Sequence, residues 1–212
     1  MKITQLECLH ADGGFRNLDF LKVSTDEGLV GWSEYNESFG GMGVTSLIEN
    51  LAPLLVGQDP CPYEARIAEL YAVRRQASGG AVQQAIGAIE NALLDLKAKA
   101  LGIPVYQLFG GPVRERIRVY WSHCGTYRLA WPDAMQIPPV RSLADVADLG
   151  REVVAAGYSA LKTNVFLLDD QPHLHAPGFS PGADGFPELN ADRNVLRALA
   201  AQLEALRAGA GP

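Results

Sequence analysis

The sequence predicts an α+β N-terminal part followed by strand–helix–strand–helix units of the parallel α/β kind, and three observations carry that prediction. Residues 2–35 hold three strand-like runs separated by turn residues. Residues 81–101 repeat apolar residues at three- and four-residue steps. From residue 117 onward, strand-like and helix-like runs alternate.

In order along the chain, "KITQLEC" alternates and "LDFLKVS" is rich in strand formers. The polar segment "HADGGFRN" between them reads as a loop hinged at Gly13 and Gly14. "TDEG" is a turn and "LVGWSEY" a third strand, so 2–35 is expected to be an antiparallel meander. A second glycine-rich loop, "NESFGGMG", follows. "VTSLIENLAPLLVG" predicts a helix ended near Pro53 and Gly57, and "CPYEARIAELYAVRR" another, with Pro62 in its first turn. Val82, Ala85, Ile86, Ile89, Leu93, Leu96 and Ala100 give the helix at 81–101 one apolar face, and Gly102 and Pro104 end it. "IRVYWSHC" predicts a strand. Ser142 and Asp145 have the spacing of a capping box opening a helix from 143 to about 156, closed by Gly157. "ALKTNVFL" is the next strand, and 191 to about 208 is again helical.

The chain has 212 residues, 48% of them hydrophobic and 20% charged, as in a globular protein of one or two domains. A net charge of −6 speaks against electrostatic binding of nucleic acid. No run of about 18 apolar residues is present to span a membrane. The opening "MKITQLECLHADGG" turns polar too early for a signal peptide. Cys8, Cys61 and Cys124 are widely spaced, which fits reduced thiols and a cytoplasmic protein.

Lys162 and Asn164 interrupt an apolar run and share one face of the predicted strand, near its C-terminal end. In α/β folds that end carries the chemistry. A desolvated lysine there can act as base, nucleophile or carboxylate anchor; it can also be a structural lysine reaching a carbonyl or carboxylate. His123 and Cys124 end the other predicted parallel strand. The histidine is a candidate to orient substrate, whereas the cysteine reads as a small buried residue. His173 and His175 have a metal-binding spacing without a third ligand beside them, so a solvated loop is expected. The loops at 10–17 and 36–43 lack the spacing of phosphate cradles and read as lids, with Phe15, Arg16 and Phe39 as candidate substrate contacts. Glu90 and Asp95 read as solvated or capping residues.

The run "AIGAIENALLDLKAKALGIPVYQLFGG", residues 85–111, resembles the end of the capping domain of the enolase superfamily, in its mandelate racemase and muconate lactonizing enzyme branch. Ala88, Ile89, Glu90, Ala92–Lys97, Lys99–Gly102, Pro104–Leu108, Gly110 and Gly111 match it in register, and "DEGLVGWSE" is similar to the same domain. The resemblance implies an α+β capping domain over 1–112, followed over 113–212 by the first two βα units of a (β/α)8 TIM-type barrel. It implies that the cap chooses the substrate. The barrel then removes the proton alpha to the carboxylate of a sugar acid, with Mg²⁺ stabilising the enediolate.

"LKTN" stands where the family carries a K-x-K motif. Lys162 matches the first lysine, beside the substrate carboxylate. Asn164 replaces the second, often a base, and an amide cannot abstract a proton. Dehydration or cycloisomerisation is therefore expected over two-base racemisation. The family's carboxylate metal ligands come from later strands, and Asp169, Asp170, Asp184 and Asp192 match none of them. The expectation is a chain without metal ligands, inactive alone, whose parent is a Mg²⁺-dependent homo-oligomeric enzyme. Two rivals stay open: a non-catalytic binding or assembly chain that keeps the cap fold, and a small two-layer α/β binding domain.

Overall fold

The computed structural model describes residues 1–14, 16–38, 41–177 and 192–211. The N-terminal runs form an antiparallel sheet of β1 (Ile3–Asp12), β2 (Asn17–Thr25) and β3 (Val30–Tyr35), in that order. Half of the polar stretch 10–17, expected as a loop, is strand: His10, Ala11 and Asp12 pair with Asp19, Leu18 and Asn17. Backbone pairing at the end of a hairpin needs no apolar face, so composition misleads there. Beyond Asp12, Gly13 N–H donates to the Arg16 carbonyl at 2.9 Å.

Helices α1 (Val44–Leu51), α2 (Tyr63–Val73) and α3 (Gly80–Leu101) follow. Pro53 lies in a 3₁₀ turn, Ala52–Leu54, that ends α1 early, and Pro62 caps α2 instead of entering its first turn. Helix α3 supplies the core: Ile86, Ile89, Leu93 and Leu96 pack with Leu21 and Val23 of β2 and Ile48 of α1, all fully buried. Close approach of sheet and helix requires Gly31, where an added Cβ would stand 2.2 Å from the Ala92 carbonyl oxygen. Gly102, at φ 67°, ends α3 in a Schellman arrangement, with Gly102 N–H on the Lys99 carbonyl and Ile103 N–H on that of Ala98. Asp95 is no solvated bystander: its carboxylate accepts from Trp32 N–H at 2.8 Å and from Lys99 Nζ, tying α3 to β3.

The chain divides into two units, Met1–Glu115 and Arg116–Pro212. In the second, the short helices α4 (Thr126–Ala130) and α5 (Pro132–Met135) precede α6 (Leu143–Ala155), β4 (Val165–Leu167), β5 (His173–His175) and α7 (Arg193–Ala210). The capping box forms as expected, Ser142 N–H donating to Asp145 Oδ2 at 2.9 Å and Asp145 N–H to Ser142 Oγ at 3.3 Å.

The two expected parallel strands are shorter than their sequences indicate. They meet in one bridge, Trp121 with Leu161. Ile117 and Val119 are 76% and 61% exposed, because residues 117–120 have no ladder partner among the described residues. The end of the second strand turns away as β4 and pairs antiparallel with β5, so the His-x-His pair lies on a strand. Cys124, Val146, Leu149, Val153, Phe166 and Leu206 form this unit's core. Among the described residues, no helix is long and apolar enough to cross a membrane.

Candidate functional site

The bridge between Trp121 and Leu161 sets the candidate residues beside one another. Trp121 N–H donates to the Ala160 carbonyl at 3.1 Å, Lys162 N–H to that of Trp121 at 2.9 Å, and Cys124 N–H to that of Lys162 at 2.8 Å. His123 and Lys162 therefore come from adjacent segments at the same end of the bridge. The alternation that put Lys162 and Asn164 inside a buried run does not hold. Phe166, of the same parity, is buried among helix residues, while the Lys162 side chain is exposed and has no partner among the described residues. In this chain, therefore, neither the apolar pocket nor the carboxylate partner weighed for Lys162 is present among the described residues. An exposed ammonium is suited to meeting an anion in charge-assisted hydrogen bonds.

Asn164 is half-buried. His123 sits at φ 52°, in the left-handed region that few non-glycine residues adopt. Its carbonyl accepts from Thr126 N–H at 3.0 Å, its Nδ1 lies 2.9 Å from Ser122 Oγ, and its ring stacks on Tyr127 at 5.5 Å between centroids. Tyr127 in turn meets Trp131 at 6.1 Å. This aromatic row was not legible in the sequence, since nothing there marked α4. Cys124 is buried, and burial pushes its thiol up to about 11, which leaves it protonated and unreactive.

In the first unit a carboxylate hub joins the roots of the two glycine-rich loops. Asp19, 3% exposed, lies 2.7 Å from His10 Nδ1 and accepts Glu37 N–H at 2.9 Å. The Glu37 carboxylate accepts Gly43 N–H and Thr45 N–H, each at 2.9 Å, and the Thr45 hydroxyl. Sequence reading missed both residues, because the partners lie on different elements. Arg16 stands 3.8 Å from Glu34. Phe15 and Phe39 lie outside the described residues.

Burial pushes the Asp19 carboxyl up, but the Glu37 N–H and His10 outweigh it and hold the group below the ordinary carboxylate range. The Thr45 hydroxyl, then backbone donors, lower Glu37 likewise. Groups lowered in the folded state add stability that is fully present above their unfolded pKa of about 4 and is lost as pH falls through the native values. The urea midpoint should therefore fall between pH 6 and pH 3, and Asp19→Asn should flatten that slope. An unchanged slope in the variant would remove Asp19 from the account.

Among the described residues, no three of His, Cys, Asp and Glu stand together as a metal-ligand set. His173 and Asp169 approach to 3.9 Å, both exposed.

Residues 15–110 match the family described as mandelate racemase / muconate lactonizing enzyme, N-terminal domain. The chain is 40% identical over 168 residues to a D-galactonate dehydratase of Verminephrobacter eiseniae, covering 77% of this chain and 38% of that protein. Among solved structures, it is similar to a candidate L-alanine-DL-glutamate epimerase of Burkholderia xenovorans, with TM-score 0.93 and 49% identity over 100% of this chain and 53% of that one. A second structure of a Burkholderia xenovorans protein of the same description, bound to magnesium and fumarate, matches with TM-score 0.92 and 49% identity over 100% of this chain and 52% of that one. The chain thus spans about half the length of these solved relatives, and less of the curated one. The three-stranded sheet with its helices is the family's N-terminal domain, the strand–helix units after it are the start of the family's barrel, and the chain belongs to the mandelate racemase/muconate lactonizing enzyme branch of the enolase superfamily.

Proposed function

We propose that the whole protein is an acid-sugar dehydratase that removes the proton alpha to a carboxylate and expels the β-hydroxyl as water. The observation that carries this reading is the 40% identity to a D-galactonate dehydratase. It extends over 77% of the chain, more than Met1–Glu115 alone can supply, so it includes barrel residues as well as the cap. In this reading 1–112 is the capping domain, with Phe15, Arg16 and Phe39 contacting the distal substrate, and 113–212 holds the first two βα units.

Lys162 binds the substrate carboxylate. Its ammonium offsets the charge already there and the further charge that builds as the alpha proton leaves. Asn164 donates from its amide to a substrate oxygen and cannot take the proton. His123, with Nδ1 engaged by Ser122, presents Nε2 to a hydroxyl. The base belongs to another part of the whole protein. The Cα proton passes to it, the C–O bond at the β-carbon breaks, and the hydroxyl leaves with a proton as water. The remaining enol becomes a 2-keto-3-deoxy acid.

Magnesium enters the proposal through the Burkholderia relative that binds it with fumarate. When bound, such an ion supplies Lewis-acid stabilisation of the enediolate. The described residues do not fit it, having no ligand set of three. Its ligands are assigned to the part of the relatives' length that this chain does not span. In this reading the chain by itself is inactive; the family resemblance, together with the sparse cysteines, is what supports a cytoplasmic homo-oligomer for the whole protein.

Epimerisation is the second reading, favoured by the description of the Burkholderia relative, while Asn164 in place of a second lysine speaks against it. The test is to incubate the whole protein in deuterated buffer with D-galactonate and other aldonic acids, with Mg²⁺ or with EDTA. Dehydration predicts a 2-keto acid that EDTA abolishes. Deuterium uptake at Cα without loss of water would replace it with epimerisation, and turnover in EDTA would reject the enediolate mechanism. No exchange with any acid would favour a non-catalytic chain.

A further inference from the structure

Just past Lys162, the strand that carries the candidate site loses its neighbour. Cys124 N–H on the Lys162 carbonyl is followed only by the Thr163 hydroxyl, which donates to the Cys124 carbonyl at 2.7 Å. The next inward-facing backbone groups are met by a side chain. Gln202 of α7 is fully buried. Its Nε2 donates to the Asn164 carbonyl at 2.8 Å and, more weakly, to Thr163 Oγ1 at 3.4 Å. Its Oε1 accepts Phe166 N–H at 2.9 Å.

This pair of bonds has a specific meaning. In a parallel ladder, one residue of the neighbouring strand donates to the carbonyl of residue i−1 and accepts from the N–H of residue i+1. The primary amide of Gln202 makes that pattern around Val165 and stands in for one residue of a parallel strand. The bond to the Asn164 carbonyl fixes the 164–165 peptide plane, and the bond to Phe166 N–H fixes the next. Together they set φ and ψ of Val165, the torsions where the chain leaves the candidate site and turns into the β4–β5 hairpin. A buried glutamine is costly unless its amide is satisfied, and here both ends are.

We propose that Gln202 is a positioning residue for the carboxylate site. By completing the strand from the helix side, it holds the Lys162–Asn164 backbone in the orientation that meets the substrate carboxylate. The inference rests on the carboxylate reading given under the proposed function.

The test uses the whole protein with Mg²⁺ present and fumarate as the dicarboxylate probe, followed by backbone amide resonances and hydrogen exchange. Gln202→Met should speed exchange of the Phe166 amide at least tenfold and weaken fumarate binding about tenfold, measured well below the variant's own melting temperature. Gln202→Glu covers the case in which the methionine variant fails to fold. At neutral pH its carboxylate still accepts from Phe166 N–H but cannot donate to the Asn164 carbonyl. Lowering the pH protonates the introduced group, whose pKa burial raises, and restores the donor. Fumarate affinity relative to the wild-type protein should then recover in this variant alone. A merely structural glutamine would change the melting temperature and leave affinity unmoved. Wild-type affinity in both Gln202 variants, with affinity lost in Lys162→Met, overturns the positioning role and leaves the carboxylate reading standing. Wild-type affinity in Lys162→Met, or a wild-type protein without fumarate-dependent shifts, overturns both.

Discussion

On the proposed carboxylate-anchor role, replacing Lys162 with Met will lower kcat/KM of the whole protein at least about thirtyfold while leaving the melting temperature of this chain unchanged. The side chain is exposed and has no partner among the described residues, so its removal breaks nothing in this chain. Substitutions at such positions change stability by about 0.5 kcal/mol or less. The functional loss is of another order. Removing one partner from a hydrogen-bonded charge pair costs about 2–5 kcal/mol, because the other charge is left desolvated and unpaired. At 1.36 kcal/mol per factor of ten, kcat/KM should fall from about thirtyfold to several thousandfold. Steady-state kinetics on the purified variant, beside its melting curve, decide the matter. Full activity in a folded variant rejects the carboxylate-anchor role, and a large drop in melting temperature would show that Lys162 is structural.

Gly209→Ala is the largest expected effect on stability, and its sign is contested between two principles. Alanine is the better helix former by about 1 kcal/mol, so on propensity alone the change in α7 should stabilise. Packing opposes it. A Cβ at 209 would stand 1.8 Å from the Ala147 carbonyl oxygen of α6, and one at Gly150 would stand 2.3 Å from the Leu206 carbonyl oxygen of α7. Both obstacles are backbone, so no side chain can swing aside, and the helices must separate. Overpacking of this kind costs about 1–3 kcal/mol and occasionally more, which exceeds the propensity gain. Equilibrium urea unfolding followed by tryptophan fluorescence should show a lower midpoint for the second unit. A midpoint equal to or above that of the wild-type chain would mean that α6 and α7 do not pack at this distance.

What the sequence revealed, it revealed through signals local in the chain. The repeat in α3 needs only neighbours three and four residues away. The Ser142–Asp145 capping box is complete within four residues, and the turn at Gly102 within six. Signals of this range survive in one dimension, as did the family motif at 85–111 and the weakness of Asn164 as a base. The family resemblance, the meander and the positions of the long helices were legible on those terms.

Other features depend on residues far apart in the chain. Asp19 is an ordinary polar residue of β2 until His10 and Glu37 close on it from two other elements. Gln202 lies on the apolar stripe of α7, where a glutamine looks misplaced, and only its bonds to backbone 36 and 38 residues earlier explain it. Glycine at 150 and 209 reads as weak helix until the facing carbonyls are seen.

Lys162 marks the division most clearly. The sequence by itself determined that a lysine and an asparagine stand two apart in a strand-like run, where the family resembled through residues 85–111 carries two lysines. Only the tertiary structure decided that this lysine is exposed in this chain, that the strand past Asn164 is completed by a helix side chain, and that the predicted parallel pairing shrinks to one bridge. The reason is physical. Side-chain period and caps are set by nearest neighbours along the chain, whereas desolvation and ladder completion are set by whatever else occupies the surrounding space.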